Sequence, residues 1–226
     1  MNRDERRERP DEIPPSVHRT GAGAAWLAPT DGARGGTWIG ANAHGLALCL
    51  LNGYAPGESA AAPNAPSRGT LIPLLMDCAD ARSAGERLRE LMRGSTWQSF
   101  CLIAADLTST IACQWRDQVL SAKPFHQQGD WSMISSSSWE MDRVLAYREG
   151  RFQEWAAKNP GAPVGLSDLH LGQTRATAGA DILMDREFSA TRSITQVIVE
   201  RGRIALHWHA RHEHRVSRNP ISLSIP

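Results

Sequence analysis

Ser99-Phe-Cys-Leu-Ile-Ala-Ala-Asp-Leu-Thr-Ser-Thr-Ile-Ala-Cys-Gln-Trp115 holds two apolar or alternating runs joined by the polar turn Asp106-Leu-Thr-Ser109. That spacing predicts an antiparallel hairpin. Near the C-terminus Ser193-Ile-Thr-Gln-Val-Ile-Val199, the turn Arg201-Gly-Arg203 and Ile204-Ala-Leu-His-Trp-His209 repeat the pattern. Between Trp26 and Leu51 lie shorter extended pieces punctuated by glycine: Thr37-Trp-Ile-Gly40 after the Gly35-Gly36 turn, the turn Asn42-Ala-His-Gly45, and the apolar run Leu46 to Leu51, expected to be buried on both faces. Trp131 to Ser135 is expected to add a strand. Strands in antiparallel groups with helices gathered between them argue α+β, with stacked sheets and helical layers, rather than alternating βαβ units.

The helical segments carry their own signals. Gly69 to Ala79 reads as a helix with Pro73 in its first turn, where a missing N–H is tolerated. A second helix is expected to open at Ser83-Ala-Gly-Glu86, a capping-box pattern, and to bury Leu88, Leu91 and Met92. Met141, Val144, Leu145, Phe152 and Trp155 recur at helical spacing until Asn159-Pro160 ends the run, and Val164 to Leu171 reads as a short helix capped by Ser167. Gly53 to Arg68, with its prolines, reads as a loop.

The 226 residues carry 25 basic and 24 acidic side chains, a net charge of +1 that provides no long-range field for nucleic acid or an anionic membrane. Leu46 to Leu51 is too short to span a bilayer, and Met1 to Pro10 has no apolar signal core behind it, so a cytoplasmic location is expected. Cys49, Cys78, Cys101 and Cys113 show no CxxC spacing and read as small hydrophobes without a disulfide framework. The glycines at 35 and 36 precede no Lys-Ser/Thr and open no GxGxxG helix, so they read as turn residues and no nucleotide site is assigned.

Several motifs fall in a fixed order: Asn2-Arg-Asp-Glu5, Arg9-Pro10, Gly35-Gly-Thr-Trp-Ile-Gly40, Asn42-Ala-His-Gly45, Asn52 at the end of an apolar strand, Ser67-Arg-Gly69 and Thr191-Arg-Ser193. Together they resemble the NRDE family, also called the Transport and Golgi organisation family. Ser135-Ser-Ser-Ser138 departs from the serine-asparagine-glycine turn usual there. That family is similar in turn to the N-terminal nucleophile hydrolases of the choloylglycine and penicillin acylase kind. The resemblance implies a four-layer αββα sandwich over one domain, residues 1–226; about 207–226 is expected from its residues to be an exposed strand and tail. It also implies nucleophilic cleavage or acyl transfer at a C–N amide bond, in which a terminal residue attacks and its own α-amine takes the proton.

Carried over onto this chain, Arg3 and Asp4 (or Glu5) would support the nucleophile, Asn52 would donate to the oxyanion, and Arg192 would line the site. Asn2, Glu5 and Trp38, within the matched motifs, are the expected substrate-binding residues. The expected partner is a small-molecule amide; no cofactor is called for by the residues. The family's Met-Cys start is replaced by Met1-Asn2, which exposes no Cys, Ser or Thr. Two explanations stand: this chain lacks a first strand that the whole protein has, which is preferred because a fold without that strand would leave its neighbour's amides unpaired in the core, or the protein is a non-catalytic relative. The alternative function is a binding or trafficking protein, since the resemblance also brings haem handling and secretory-pathway organisation.

Plainer readings accompany each motif. Arg3 to Glu5 sit in a charged terminal stretch that could be a solvated arm, Asn52 before Gly53 could be a turn residue tolerating left-handed backbone, and Arg192 could be a surface side chain. His207, His209, His212 and His214 suggest metal binding, but on a regular strand they divide between two faces, so no metal is assigned.

Overall fold

The computed structural model describes residues 1–54, 66–125, 131–161, 168–173, 177, 179–212 and 215–226. Along the chain run β1 (Asn2–Arg6), β2 (Ile13–Arg19), β3 (Ala25–Thr30), β4 (Ile39–Asn42), β5 (Ala47–Asn52), α1 (Leu71–Leu75), α2 (Ala81–Met92), β6 (Phe100–Ala105), β7 (Thr110–Arg116) and β8 (Val119–Pro124). There follow α3 (Met141–Lys158), α4 (Asp168–Leu171), β9 (Ser189–Glu200), β10 (Arg203–His212), β11 (Arg215–Val216) and β12 (Ile221–Ile225). The chain divides into two compact units, the first comprising Met1–Arg9, His126–Gln196 and His209–Pro220, the second Pro10–Phe125, Val197–Trp208 and Ile221–Pro226.

In the second unit β2 to β8 form a seven-stranded antiparallel sheet in chain order. The predicted hairpin is β6 and β7, registered from Phe100↔Trp115 to Ala105↔Thr110. Its turn is tied by Asp106, whose carboxylate accepts the N–H groups of Thr108 at 2.7 Å and Ser109 at 2.8 Å. The same carboxylate accepts the Ala81 N–H at 2.8 Å, so the turn also satisfies a free amide at the start of α2. β2 was not apparent in the sequence because Pro14 and Pro15 interrupt its alternation; it is an edge strand, where missing donors are tolerated.

The core of this unit gathers Trp26, Leu46, Leu48, Leu50, Leu71, Ile72, Leu75, Leu88, Phe100, Leu102 and Trp115. Leu48 and Leu50 are buried while Ala47, Cys49 and Leu51 are only partly so, which corrects the expectation of a strand buried on both faces. Asn42, fully buried, accepts from His44 and Leu46 N–H and donates to the carbonyls of Met76 at 2.9 Å and Cys78 at 2.8 Å, joining the β4–β5 turn to the end of α1. Gly35 has φ +68°, the turn role expected of it, whereas Gly36 is required by close approach: a Cβ there would lie 2.7 Å from the Gly69 carbonyl carbon.

The helices differ from expectation in detail. Residues 68–70 form a 3-10 turn and α1 ends at Leu75, with Pro73 in its first turn as read. α2 opens at Ala81, two residues earlier than Ser83: Asp80 is the N-cap and closes a capping box with Ser83, whose N–H it accepts at 2.7 Å. Glu86 is thereby released to pair with Arg82 at 3.2 Å. Ser167, offered as a cap, and the bulk of the loop Gly53 to Arg68 lie outside the described residues.

In the first unit β1 pairs antiparallel with β9, and α3 presents Val144, Arg148 and Phe152 as its buried residues. Trp131 to Ser135 makes no strand beyond a single bridge residue at Trp131; here the Ser135 hydroxyl and Ser136 carbonyl are taken by the Arg148 side chain instead. β9 and β10 contribute residues to both units. In the second unit β12 pairs along Ile204 to Trp208 of β10, and Trp208 and Ile225 are buried.

Candidate functional site

The four charged and amide side chains that open the chain are sorted by strand geometry. Neighbours on a strand face opposite sides, so Asn2 and Asp4 share one face of β1 and Arg3 and Glu5 the other. Pairing with β9 runs Asn2↔Ile194, Arg3↔Ser193, then Asp4↔Thr191, a one-residue step that leaves Arg192 without an opposite number in β1. Such a bulge shifts the parity of the bulged strand. Thr191 therefore faces with Asp4, and Ser193 with Arg3.

On the first face the Asn2 amide donates to the carbonyls of Ile182 at 2.7 Å and His170 at 3.1 Å. Its oxygen is 2.6 Å from His170 Nδ1. With the amide hydrogens committed to carbonyls, the ring must donate from Nδ1. Burial, helped by the nearby chain-terminal amine, pushes His170 down to about 3, so the imidazole is neutral. That amine, on Met1, donates to the Thr195 carbonyl at 2.6 Å.

Asp4 accepts the Thr191 hydroxyl at 2.6 Å and the Arg148 guanidinium at 3.3 Å. Its side chain keeps 26% of its surface open, held between Arg148 of α3 and Thr191 of β9. Desolvation raises its pKa, opposed by the charge of Arg148, the Thr191 hydrogen bond and the charge of Arg186. On the opposite face Arg3 is 6% exposed, with the Glu5 carboxylate 3.7 Å away and Glu5 in turn 3.5 Å from Arg9. Ser193 Oγ and Thr195 Oγ1 are buried with no hydrogen-bond partner among the described residues.

Of the residues expected in a site, Asn2, Arg3, Asp4, Glu5 and Arg192 belong to the first unit. The Arg3–Glu5 stretch is thus a paired strand, not a solvated arm. Arg192 is the bulged residue and donates to the Arg7 carbonyl at 3.2 Å. Asn52 and Trp38 belong to the second unit. Asn52 ends β5, exposed, and donates to the Tyr54 hydroxyl at 3.1 Å; Trp38 is 8% exposed. Gly53, which follows Asn52, is a close-approach position: a Cβ there would lie 2.8 Å from the Phe100 amide nitrogen.

Arg148 was missed, because a charged residue in a helix ordinarily marks the solvated face. Its spacing of four from both Val144 and Phe152 was the available signal. Burial pushes Cys101 up to about 12 and Cys113 to about 11, leaving both as thiols. No group of three metal-ligating side chains occurs among the described residues; His209 Nδ1 lies 2.8 Å from the Ser217 carbonyl, His207 Nδ1 lies 2.7 Å from the Ser222 hydroxyl, and His214 falls outside the described residues.

The profile of the Transport and Golgi organisation 2 family matches residues 1–205. The chain belongs to this family. A search of curated proteins finds no match. Among solved structures, two variants of the conjugated bile acid hydrolase from Clostridium perfringens are similar to this family member. One has TM-score 0.55 and 13% identity, covering 97% of this chain and 86% of that one. The other has TM-score 0.51 and 13% identity, covering 93% and 83%. Penicillin V acylase from Agrobacterium tumefaciens has TM-score 0.48 and 15% identity over 88% and 73%. At these identities the likeness to the bile acid hydrolases is one of fold: this Transport and Golgi organisation 2 chain has the α+β fold of N-terminal nucleophile hydrolases, with two antiparallel sheets. No described helix is long and apolar enough to cross a membrane.

Proposed function

We propose that this chain carries the supporting residues of a site for hydrolysis or acyl transfer at the C–N amide bond of a small molecule, with no attacking residue assigned among them. The observation that carries the reading is Arg3. A guanidinium 6% exposed is expensive to bury unless its charge is met, and the Glu5 carboxylate on the same face meets it at 3.7 Å, which fixes a buried cation on that face. Here it stands on the opposite face of β1 from the Asp4–Arg148 pair, in a fold shared with an enzyme named for hydrolysing conjugated bile acids. In amide cleavage the carbonyl oxygen gains negative charge as the attacking atom bonds to carbon; a preorganised guanidinium stabilises that charge, and the C–N bond then breaks with a proton passing to the departing nitrogen. Arg3 fits the first of these roles, Asp4 holds the strand that carries it, and Glu5 shares its face, while the Asn2 amide is committed to His170 and Ile182 on the other. The attacking group is assigned to none of the described cysteines, since burial raises their thiol pKa values.

Amine release from a panel of N-acyl amides, measured with the full chain, tests this reading. Turnover that falls on Arg3→Gln and persists in the exposed-site control Arg82→Gln supports it. A folded protein that releases no amine from any member, and that shifts the Soret band of added haem, overturns it in favour of a carrier.

A further inference from the structure

We propose that Arg148 is a positioning residue for the site on the Arg3 face of β1, acting through Asp4; this rests on the amide-cleavage reading of that face. The Arg148 side chain is 7% exposed at the middle of α3. Arginine has five N–H donors, and here there are five acceptors. Nε donates to the Ala180 carbonyl at 3.0 Å, Nη1 to Ser135 Oγ at 2.9 Å and the Ser136 carbonyl at 3.3 Å, and Nη2 to the Asp181 carbonyl at 3.0 Å and Asp4 Oδ2 at 3.3 Å. Four of these acceptors are neutral and would suffice to anchor a helix. The fifth is the carboxylate of β1, which gives the pair its charge.

The second carboxylate oxygen, Oδ1, takes the Thr191 hydroxyl at 2.6 Å, and Thr191 Oγ1 accepts the Met184 N–H at 2.9 Å. Asp4 is therefore gripped from α3 on one side and β9 on the other, at the residue where the register steps. The step matters because displacement of a strand by one residue reverses every side chain. Holding Asp4 toward α3 holds Arg3, its neighbour, toward the opposite face. Arg148 touches neither Arg3 nor the reacting centre assigned to it; its influence passes through a planar, fully engaged guanidinium that leaves Asp4 little room to turn. The charged groups that face Asp4 are Arg148 on α3 and Arg186 in the segment before β9.

The test uses Arg148→Gln and Arg148→Lys in the full chain, with two readouts. One is the Asp4 carboxyl titration followed by carbon-13 NMR. Loss of the cation in Arg148→Gln should raise its midpoint by roughly one to three pH units, while Arg148→Lys should hold it nearer the parent value. The other is turnover of whichever N-acyl amide the parent cleaves. Misplacement of Arg3 should lower kcat by on the order of 10²-fold with KM little changed, with partial recovery in Arg148→Lys. A folded Arg148→Gln with parental kcat, or an unmoved Asp4 midpoint, overturns the proposal. Should Arg148→Gln fail to fold, Arg148→Lys carries the test alone, because one ammonium cannot serve five acceptors: a reduced kcat supports the proposal and a parental kcat overturns it. If the parent cleaves no amide, the functional reading fails by itself and the Asp4 midpoint alone judges the Arg148–Asp4 coupling.

Discussion

Thr191 gives its hydroxyl hydrogen to the Asp4 carboxylate at 2.6 Å while the same oxygen accepts the Met184 N–H at 2.9 Å. Thr191 is fully buried and Met184 is 2% exposed, so the Met184 N–H cannot turn to water if the hydroxyl is removed. Thr191→Val should destabilise the chain by about 1–3 kcal/mol in urea unfolding and raise the Asp4 midpoint, whereas Thr191→Ser should keep most of both. Equal stability of the Val variant and the parent would disprove the role given to this hydroxyl.

His170 is held neutral down to about pH 3 against an ordinary value of 6.5. A histidine with a lowered folded pKa favours the folded state above 6.5, and that stability is lost as pH falls from 6.5 toward 3, because the unfolded chain takes a proton the folded chain refuses. Stability measured across this window should therefore decline, and His170→Gln should flatten the decline. Asn2→Asp places a carboxylate against Nδ1 and should move the His170 midpoint up, as read by ring-proton NMR.

Asp106 links a hairpin turn to the first amide of α2. Burial pushes its carboxyl up, but hydrogen bonds from Thr108, Ala81 and Ser109 outweigh it and hold the group far below the usual carboxylate range. The stabilisation is complete above the unfolded value near 3.8 and is lost as pH falls through the folded one. Asp106→Ala should cost about 2 kcal/mol at neutral pH by thermal or urea unfolding, the scale of a lost helix cap together with its turn bonds. The gap between variant and parent should narrow in acid.

Gly36 and Gly53 are packed against backbone, with the Gly69 carbonyl carbon 2.7 Å and the Phe100 nitrogen 2.8 Å from where a Cβ would stand. Gly36→Ala and Gly53→Ala should each lower stability by about 1–3 kcal/mol, since backbone must move to admit the methyl group. Gly94→Ala is the informative contrast: nothing lies within 4 Å there, and strain from its φ of +68° is the sole penalty.

Elements made by local pattern were legible residue by residue. The hairpin of β6 and β7 could be read from two apolar runs about a polar turn, and α3 from its helical spacing, because neighbours in sequence set both. β2 could not, since two prolines erase its alternation and only a place at the sheet edge makes them harmless. The N-cap of α2 was misplaced by three residues, at Ser83 instead of Asp80, because both offer an oxygen to free amides.

For the site, the order of motifs from Asn2 to Arg192 by itself determined the family and the residue types on β1. Strand parity alone already separates Asn2 and Asp4 from Arg3 and Glu5. What only the tertiary structure decided is what each face meets: the bulge at Arg192 that turns Thr191 toward Asp4, and the Arg148 guanidinium that arrives from 144 residues away. A buried charge is stable only beside its acceptors, and those acceptors are brought together by chain segments whose adjacency no local pattern encodes.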